Sequence, residues 1–157
     1  MPQYVTRSEA ETRRLGQRLG GSLRAGDTVL LSGELGAGKS VLARGIARGM
    51  GVRGAMPSPT FTLMAVYRGA RFPVYHMDLY RLEGASDLYE SGLEEYVGGD
   101  GVALIEWPER AAEALPARHL AAELDYTEGG LSRRIRLTPR GGFPNDAFAE
   151  LREEEDV

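Results

Sequence analysis

The chain has 157 residues, 42% of them hydrophobic and 27% charged, with a net charge of −4 and no cysteine. Its length suits one domain with a sizeable core, burying roughly 68–70% of the surface the unfolded chain exposes. The lack of thiols excludes disulfides, thiolate metal sites and cysteine nucleophiles. The acidic balance gives no whole-chain field that would attract nucleic acid and leaves a local arginine patch open.

The first residues, Met1 to Arg7, carry no apolar core of a signal peptide, and no apolar run approaches the roughly 20 residues that cross a bilayer. The expected compartment is the cytoplasm, with no membrane partner. Tyr4-Val5-Thr6 reads as a short edge strand. Ser8 caps a helix running to about Leu19, which Gly20-Gly21 ends. Thr28 to Ser32 is a short apolar run suited to a buried parallel strand. A glycine-rich loop follows, then a helix over about Lys39 to Met50, stopped by Gly51. Gly54 to Pro59 reads as a loop. Phe61–Tyr67 and Pro73–Leu79 read as two strands joined by a turn at Arg68-Gly69-Ala70-Arg71. Ser86 to Val97 is weakly helical, interrupted by Gly92. Val102 to Ile105 is another buried strand, and a short alanine-rich helix follows Pro108. Leu120–Tyr126 and Leu131–Leu137 form a hairpin across Thr127-Glu128-Gly129-Gly130. The mostly acidic stretch 150–157 is expected as a solvated tail beyond a domain over 1–149.

The chemistry centres on Gly33-Glu34-Leu35-Gly36-Ala37-Gly38-Lys39-Ser40, which reads G-x-x-x-x-G-K-S between a strand and a helix. The glycines let backbone N–H groups approach phosphate oxygens, and the helix presents its positive end. Lys39 would reach the β- and γ-phosphates, and the Ser40 hydroxyl would face Mg2+. Lys39 is also the one lysine of the chain; the other eighteen of its nineteen Lys and Arg residues are arginine. A compact ammonium fits beside two phosphates, whereas a guanidinium is a wide planar fork. Glu106 closes a run of four apolar residues, as the acid of a Walker-B strand does. There it would hold Mg2+ or else cap a helix. Asp78, at the end of Val74-Tyr75-His76-Met77-Asp78, competes with it for the metal and for activating water; spacing alone does not assign them. His76 reads as a packed or hydrogen-bonded histidine. Thr60, in Ser58-Pro59-Thr60-Phe61-Thr62, lies about twenty residues past Lys39, where γ-phosphate and Mg2+ order the switch loops of nucleotide hydrolases. Trp107, the sole tryptophan, either shields the site, stacks on a base or fills the core.

Taken in order, Leu35 to Ser40, Ser58 to Leu63, His76 to Leu82 and Ile105-Glu106-Trp107-Pro108-Glu109 resemble the motifs of the TsaE (YjeE) family, the small ATPases of bacterial tRNA threonylcarbamoyladenosine synthesis. The resemblance runs from the helix near Ser8 to the hairpin near Leu137. It implies an α/β fold: a single P-loop NTPase domain with a mostly parallel central sheet, flanking helices and antiparallel hairpin additions. It implies ATP and Mg2+ as cofactors, TsaD and TsaB as partners, and an indirect role at adenosine 37 of tRNAs reading ANN codons. Ser40 and Glu106 match the metal-binding positions, Asp78 and Thr60 positions linked to hydrolysis and switching, and Trp107 the tryptophan beside the nucleotide. Ser8 or Glu9, with Arg134, match residues that frame the adenine. Family members often follow the lysine with two threonines. Here Ser40 keeps the metal-binding hydroxyl, while Val41 loses a second one that would assist at the α-phosphate.

Other classes remain as alternatives. A nucleotide-dependent binding module would use ATP to order the Thr60 loop, with hydrolysis incidental. A small-molecule kinase would need a lid, and no lid segment accompanies Arg44 and Arg48. A guanine-reading N-K-x-D motif needs a second lysine, which this chain lacks, so ATP is favoured over GTP.

Overall fold

The computed structural model describes residues 3–127 and 129–144; the expected tail over 150–157 lies outside them, as does Glu128 of the hairpin turn. The elements are β1 (Gln3–Thr6), α1 (Glu9–Gly20), β2 (Thr28–Gly33), α2 (Lys39–Gly49), β3 (Met64–Arg68), β4 (Pro73–Asp78), α3 (Ala85–Ser91), β5 (Val102–Glu106), β6 (His119–Tyr126) and β7 (Arg133–Arg140). One seven-stranded sheet runs in the order β1-β7-β6-β2-β5-β4-β3. Its centre, β6-β2-β5-β4, is parallel. Strands β3, β7 and β1 add antiparallel edges. This is the expected α/β architecture.

Alternation along the central strands sends side chains into two cores. On one face Val29, Leu31, Leu104 and Leu120 pack under Leu15 and Leu19 of α1 and Leu42 and Ile46 of α2. On the other, Tyr75, Met77, Ala103 and Ile105 pack under Leu88 of α3 and the turn carrying Leu93. A strand covered on both faces reads as a nearly continuous apolar run, and all five residues of β5 are buried, Val102 to Ile105 apolar and only Glu106 at its end charged. Among the described residues no helix is long and apolar enough to cross a membrane.

Helix α1 starts as expected, with the Ser8 hydroxyl accepting the Glu11 N–H at 3.1 Å. It also ends as expected, at Gly20 with Gly21 as its cap. Its glycines serve packing as well. A Cβ on Gly16 would stand 2.7 Å from Leu42 O, and one on Gly20 2.2 Å from Ile46 O. In return, a Cβ on Gly45 would meet Arg13 O at 2.4 Å and one on Gly49 would meet Gln17 O at 2.0 Å. The two helices touch backbone to backbone through two facing G-x-x-x-G pairs.

Three expectations shift. Strand β3 begins at Met64, not Phe61, because Leu63 turns left-handed (φ 67°) and donates its N–H to Pro59 O at 2.9 Å, closing a turn. Two 3-10 turns, Pro108–Arg110 and Ala112–Ala114, replace the alanine-rich helix, because Ala111 between them leaves the helical region (φ −145°, ψ 35°). Strand β7 begins at Arg133 and reaches Arg140, passing Pro139. Proline is tolerated there because, among the described residues, β1 covers Arg133 to Arg136 and leaves β7 as a sheet edge beyond them.

Candidate nucleotide site

The carboxyl ends of β2, β5 and β4 meet where open α/β sheets bind ligands. Strand β2 runs into the glycine loop, whose Gly36 (φ 83°) and Gly38 (φ 105°) take left-handed backbone. A Cβ on Gly33 would lie 2.4 Å from Leu124 O, so the loop sits flush on β6. The hairpin braces it further: the Tyr126 hydroxyl donates to Leu35 O at 3.3 Å, and the Arg133 guanidinium donates to Gly36 O at 3.5 Å.

Lys39 opens α2 and is 5% exposed. Its ammonium donates to Gly33 O at 2.5 Å and Glu34 O at 3.0 Å. It also lies 3.9 Å from the centre of the Trp107 ring. Burial pushes its pKa down, against the carboxylates of Glu106, Glu109 and Asp78, which hold it up.

The next residue, Ser40, donates its hydroxyl to Glu106 at 3.0 Å and 2.9 Å, one distance to each carboxylate oxygen. A hydroxyl and a carboxylate in contact at the phosphate loop are the hard oxygen donors that Mg2+ takes from a protein when phosphates and water supply the rest. The residues therefore fit that ion. Among the described residues no group of three or more His, Cys, Asp or Glu side chains forms a metal cage. Glu106 caps no helix; it stands between Ser40 and His76, whose Nε2 is 2.6 Å from Glu106 Oε2.

Parallel pairing sets Asp78 directly opposite Glu106. Asp78 is buried, and its carboxylate accepts the Tyr80 N–H at 3.0 Å. Burial foremost raises its pKa; the Tyr80 N–H opposes this and the charge on Glu106 adds to it. His76 is fully buried and hydrogen-bonded at both ring nitrogens, the second to Tyr67. Thr60 is exposed, with its hydroxyl 2.7 Å from that of Ser58. Trp107 has left-handed backbone (φ 57°) and its ring tilts against Tyr80 at 5.0 Å. Leu63 and Trp107 are the non-glycine residues with positive φ among those described. Trp107 lines this site, and Leu63 accepts the backbone N–H of Asp78 beside it; backbone strain of this kind clusters at functional positions.

These groups line a cleft of about 490 Å³. It brings together Leu35, Gly36, Gly38, Lys39, Ser40, Val41, Thr60, Asp78, Glu106 and Trp107, and at its far end Ser8 and Glu9. Ala37 is buried beneath the loop, and Gly33 contributes its carbonyl to Lys39. Arg134 does not line the cleft; Arg133 does. Strand parity explains the correction: Arg133 shares a face with Ile135 and Leu137, which pack toward α1 and α2. The sequence reading also missed Thr6 and Thr12 in the cleft wall, whose hydroxyls lie 2.7 Å apart. No motif marks them, because β1 and α1 meet there only on folding.

A family model described as threonylcarbamoyl adenosine biosynthesis protein TsaE matches residues 6–135. Proteins named tRNA threonylcarbamoyladenosine biosynthesis protein TsaE are similar over most of the chain. The one from Treponema pallidum is 47% identical, covering 71% of this chain and 82% of its own. The one from Bacillus subtilis is 39% identical, covering 99% of this chain and 96% of its own. The crystal structure of Bacillus subtilis YdiB superposes with a TM-score of 0.82 at 31% identity, covering 98% of this chain and 95% of that one.

Proposed function

From the premise that this chain belongs to the TsaE family of tRNA threonylcarbamoyladenosine biosynthesis, we propose that it is a Mg2+-dependent ATPase. It would act in the cytoplasm with TsaD and TsaB in forming the threonylcarbamoyl group on adenosine 37 of tRNAs reading ANN codons. The observation that carries this reading is the contact of Ser40 with Glu106 beside Lys39. A strand-to-helix glycine turn without a ligand has no need of a buried ammonium, hydroxyl and carboxylate at one point.

On this reading the loop N–H groups and the α2 terminus hold the phosphates. Lys39 leaves Gly33 O, Glu34 O and the Trp107 face for the β- and γ-phosphates. Ser40 and Glu106 hold Mg2+, which when bound neutralises charge gathering on the transferred phosphoryl group. Asp78, with its proton affinity raised, is the group suited to orient and deprotonate the attacking water. Thr60 contacts the γ-phosphate from the facing loop. Ser8 and Glu9, together with Arg133, frame the base.

Calorimetry with ATP is the direct test. Wild type should bind in the presence of Mg2+ and Lys39→Ala should not; unchanged affinity in the variant sinks the reading. Adding TsaD and TsaB should raise phosphate release, and the gene should restore modified tRNA in cells depleted of TsaE. One feature favours a second reading, a nucleotide-dependent binding module: Phe61, on the Thr60 loop, is 82% exposed. A hydrolysis rate that the partners leave unchanged would select it.

A further inference from the structure

Three adjacent strands carry a buried polar chain for which binding ATP has no evident use. Register explains its course. His76 on β4 pairs with Ala65 of β3 and Leu104 of β5, which places Tyr67, His76 and Glu106 on one sheet face, each two residues along from the last. Tyr67 and Glu106 are 3% exposed and His76 is fully buried. The Tyr67 ring meets His76 edge-on, with centroids 5.8 Å apart.

Donor accounting gives the chain a direction. The Tyr67 hydroxyl lies 2.7 Å from Pro57 O, and a carbonyl only accepts, so the single phenolic proton goes there. The phenolic oxygen then accepts from His76 Nδ1 at 3.0 Å. That leaves Nε2 facing Glu106 at 2.6 Å. The far end, Pro57, is the residue from which the Ser58–Thr60 loop departs. The other end of that loop is tied as well: Leu63 O accepts the backbone N–H of Asp78 at 2.9 Å. Arg81 holds the middle by donating to Phe61 O at 2.5 Å. Each of the two site carboxylate residues thus reaches one end of the loop, Asp78 directly and Glu106 through two side chains.

We infer that Tyr67 and His76 are positioning residues that tie the start of the 57–63 loop to the Glu106 carboxylate, so that the placement of Thr60 follows what Glu106 holds. The inference rests on the ATPase reading above. A network serving only to fill the core would be indifferent to the occupant of the site. A run of side chains in contact from Pro57 to Glu106 is not, because turning any member disturbs its contact with the next.

Tyr67→Phe tests this, since it keeps the ring and removes only the hydroxyl. ATP affinity without Mg2+ should stay within about twofold of wild type, and kcat should fall by roughly tenfold or more at nearly unchanged KM. Amides of Ser58 and of residues 60–63, which MgATP should protect from hydrogen exchange in wild type, should lose that protection in the variant. Wild-type kcat and protection in Tyr67→Phe would overturn the inference, as would an equal loss of binding with and without Mg2+. If that variant does not fold, His76→Gln takes its place, with the same loss of kcat and protection expected. A wild type that binds no ATP would remove the ATPase reading itself. A wild type that binds ATP while the variant keeps its loop response would remove the relay alone.

Discussion

At the scale of single residues, two carboxylates side by side carry different environments. Glu106 touches Ser40 and His76, while Asp78 touches a backbone N–H. Glu106→Ala should therefore weaken ATP binding in Mg2+ by roughly tenfold or more and leave binding in EDTA within about twofold. Asp78→Ala should spare both and slow turnover by roughly 10²–10⁴-fold, the range of a lost general base. The reverse pattern, read by calorimetry and phosphate release, would exchange their roles. Asp78 also bears on stability. Its pKa is raised in the folded chain, mainly by burial, so the folded state binds the proton more tightly than the unfolded one. Stability linked to this group is intact below the usual value of 3.8 and is lost as pH rises through the folded value. Asp78→Asn should therefore raise the melting temperature at neutral pH, and the gain should vanish in melts below about pH 3. A gain that persists in acid would point to packing instead. Lys39, Ser40, Asp78 and Glu106 were legible in the sequence because each sits at a fixed offset from a strand end. Tyr67 was not, since its partner at Pro57 depends on how a loop returns across the sheet.

At the scale of elements, the α1–α2 contact uses glycine where helix propensity would prefer alanine. Alanine normally gains about 1 kcal/mol over glycine in a helix. Here its Cβ would stand 2.0 Å from Gln17 O at position 49 and 2.2 Å from Ile46 O at position 20. Backbone cannot yield as a side-chain tip can, and overpacking of this kind costs about 1–3 kcal/mol or more. Gly49→Ala and Gly20→Ala should each lower the urea midpoint despite better propensity; a raised midpoint would mean that the helices separate freely. The sequence signalled both helices but not this contact. Gly20 read as a stop because a glycine near a helix end usually is one, and only the facing helix shows what it accommodates. The start of β3 was misjudged for a similar reason: Phe61 to Leu63 have strand-forming side chains, yet the Leu63 N–H is taken by Pro59.

At the scale of the whole molecule, strand order explains why so much of the site could be read from the chain. Strands β2, β5 and β4 are neighbours in space, so motifs ending each of them had to converge. The far wall of the cleft, which would face the base on the ATPase reading, is different, because β1, α1 and the β6–β7 hairpin reach it from the opposite sheet edge, and only part of it was anticipated. That arrangement also fixes what in the cleft is able to move. Helix α1 brings Ser8 to Thr12 to one end, α2 brings Lys39 and Ser40 to the other, and their interlocked backbones join the two ends. The cleft is thus a vice with one fixed jaw. Nucleotide-free and nucleotide-bound crystal structures should superpose on α1 and α2 within coordinate error, and a hinge between the two helices would refute this. Grip must come from the other jaw: the loop over 57–63, the turn carrying Tyr80 and the segment Leu131 to Arg133. On the ATPase reading, a partner protein that presses on those three segments would control how long the nucleotide stays without touching the glycine loop, Lys39 or Ser40.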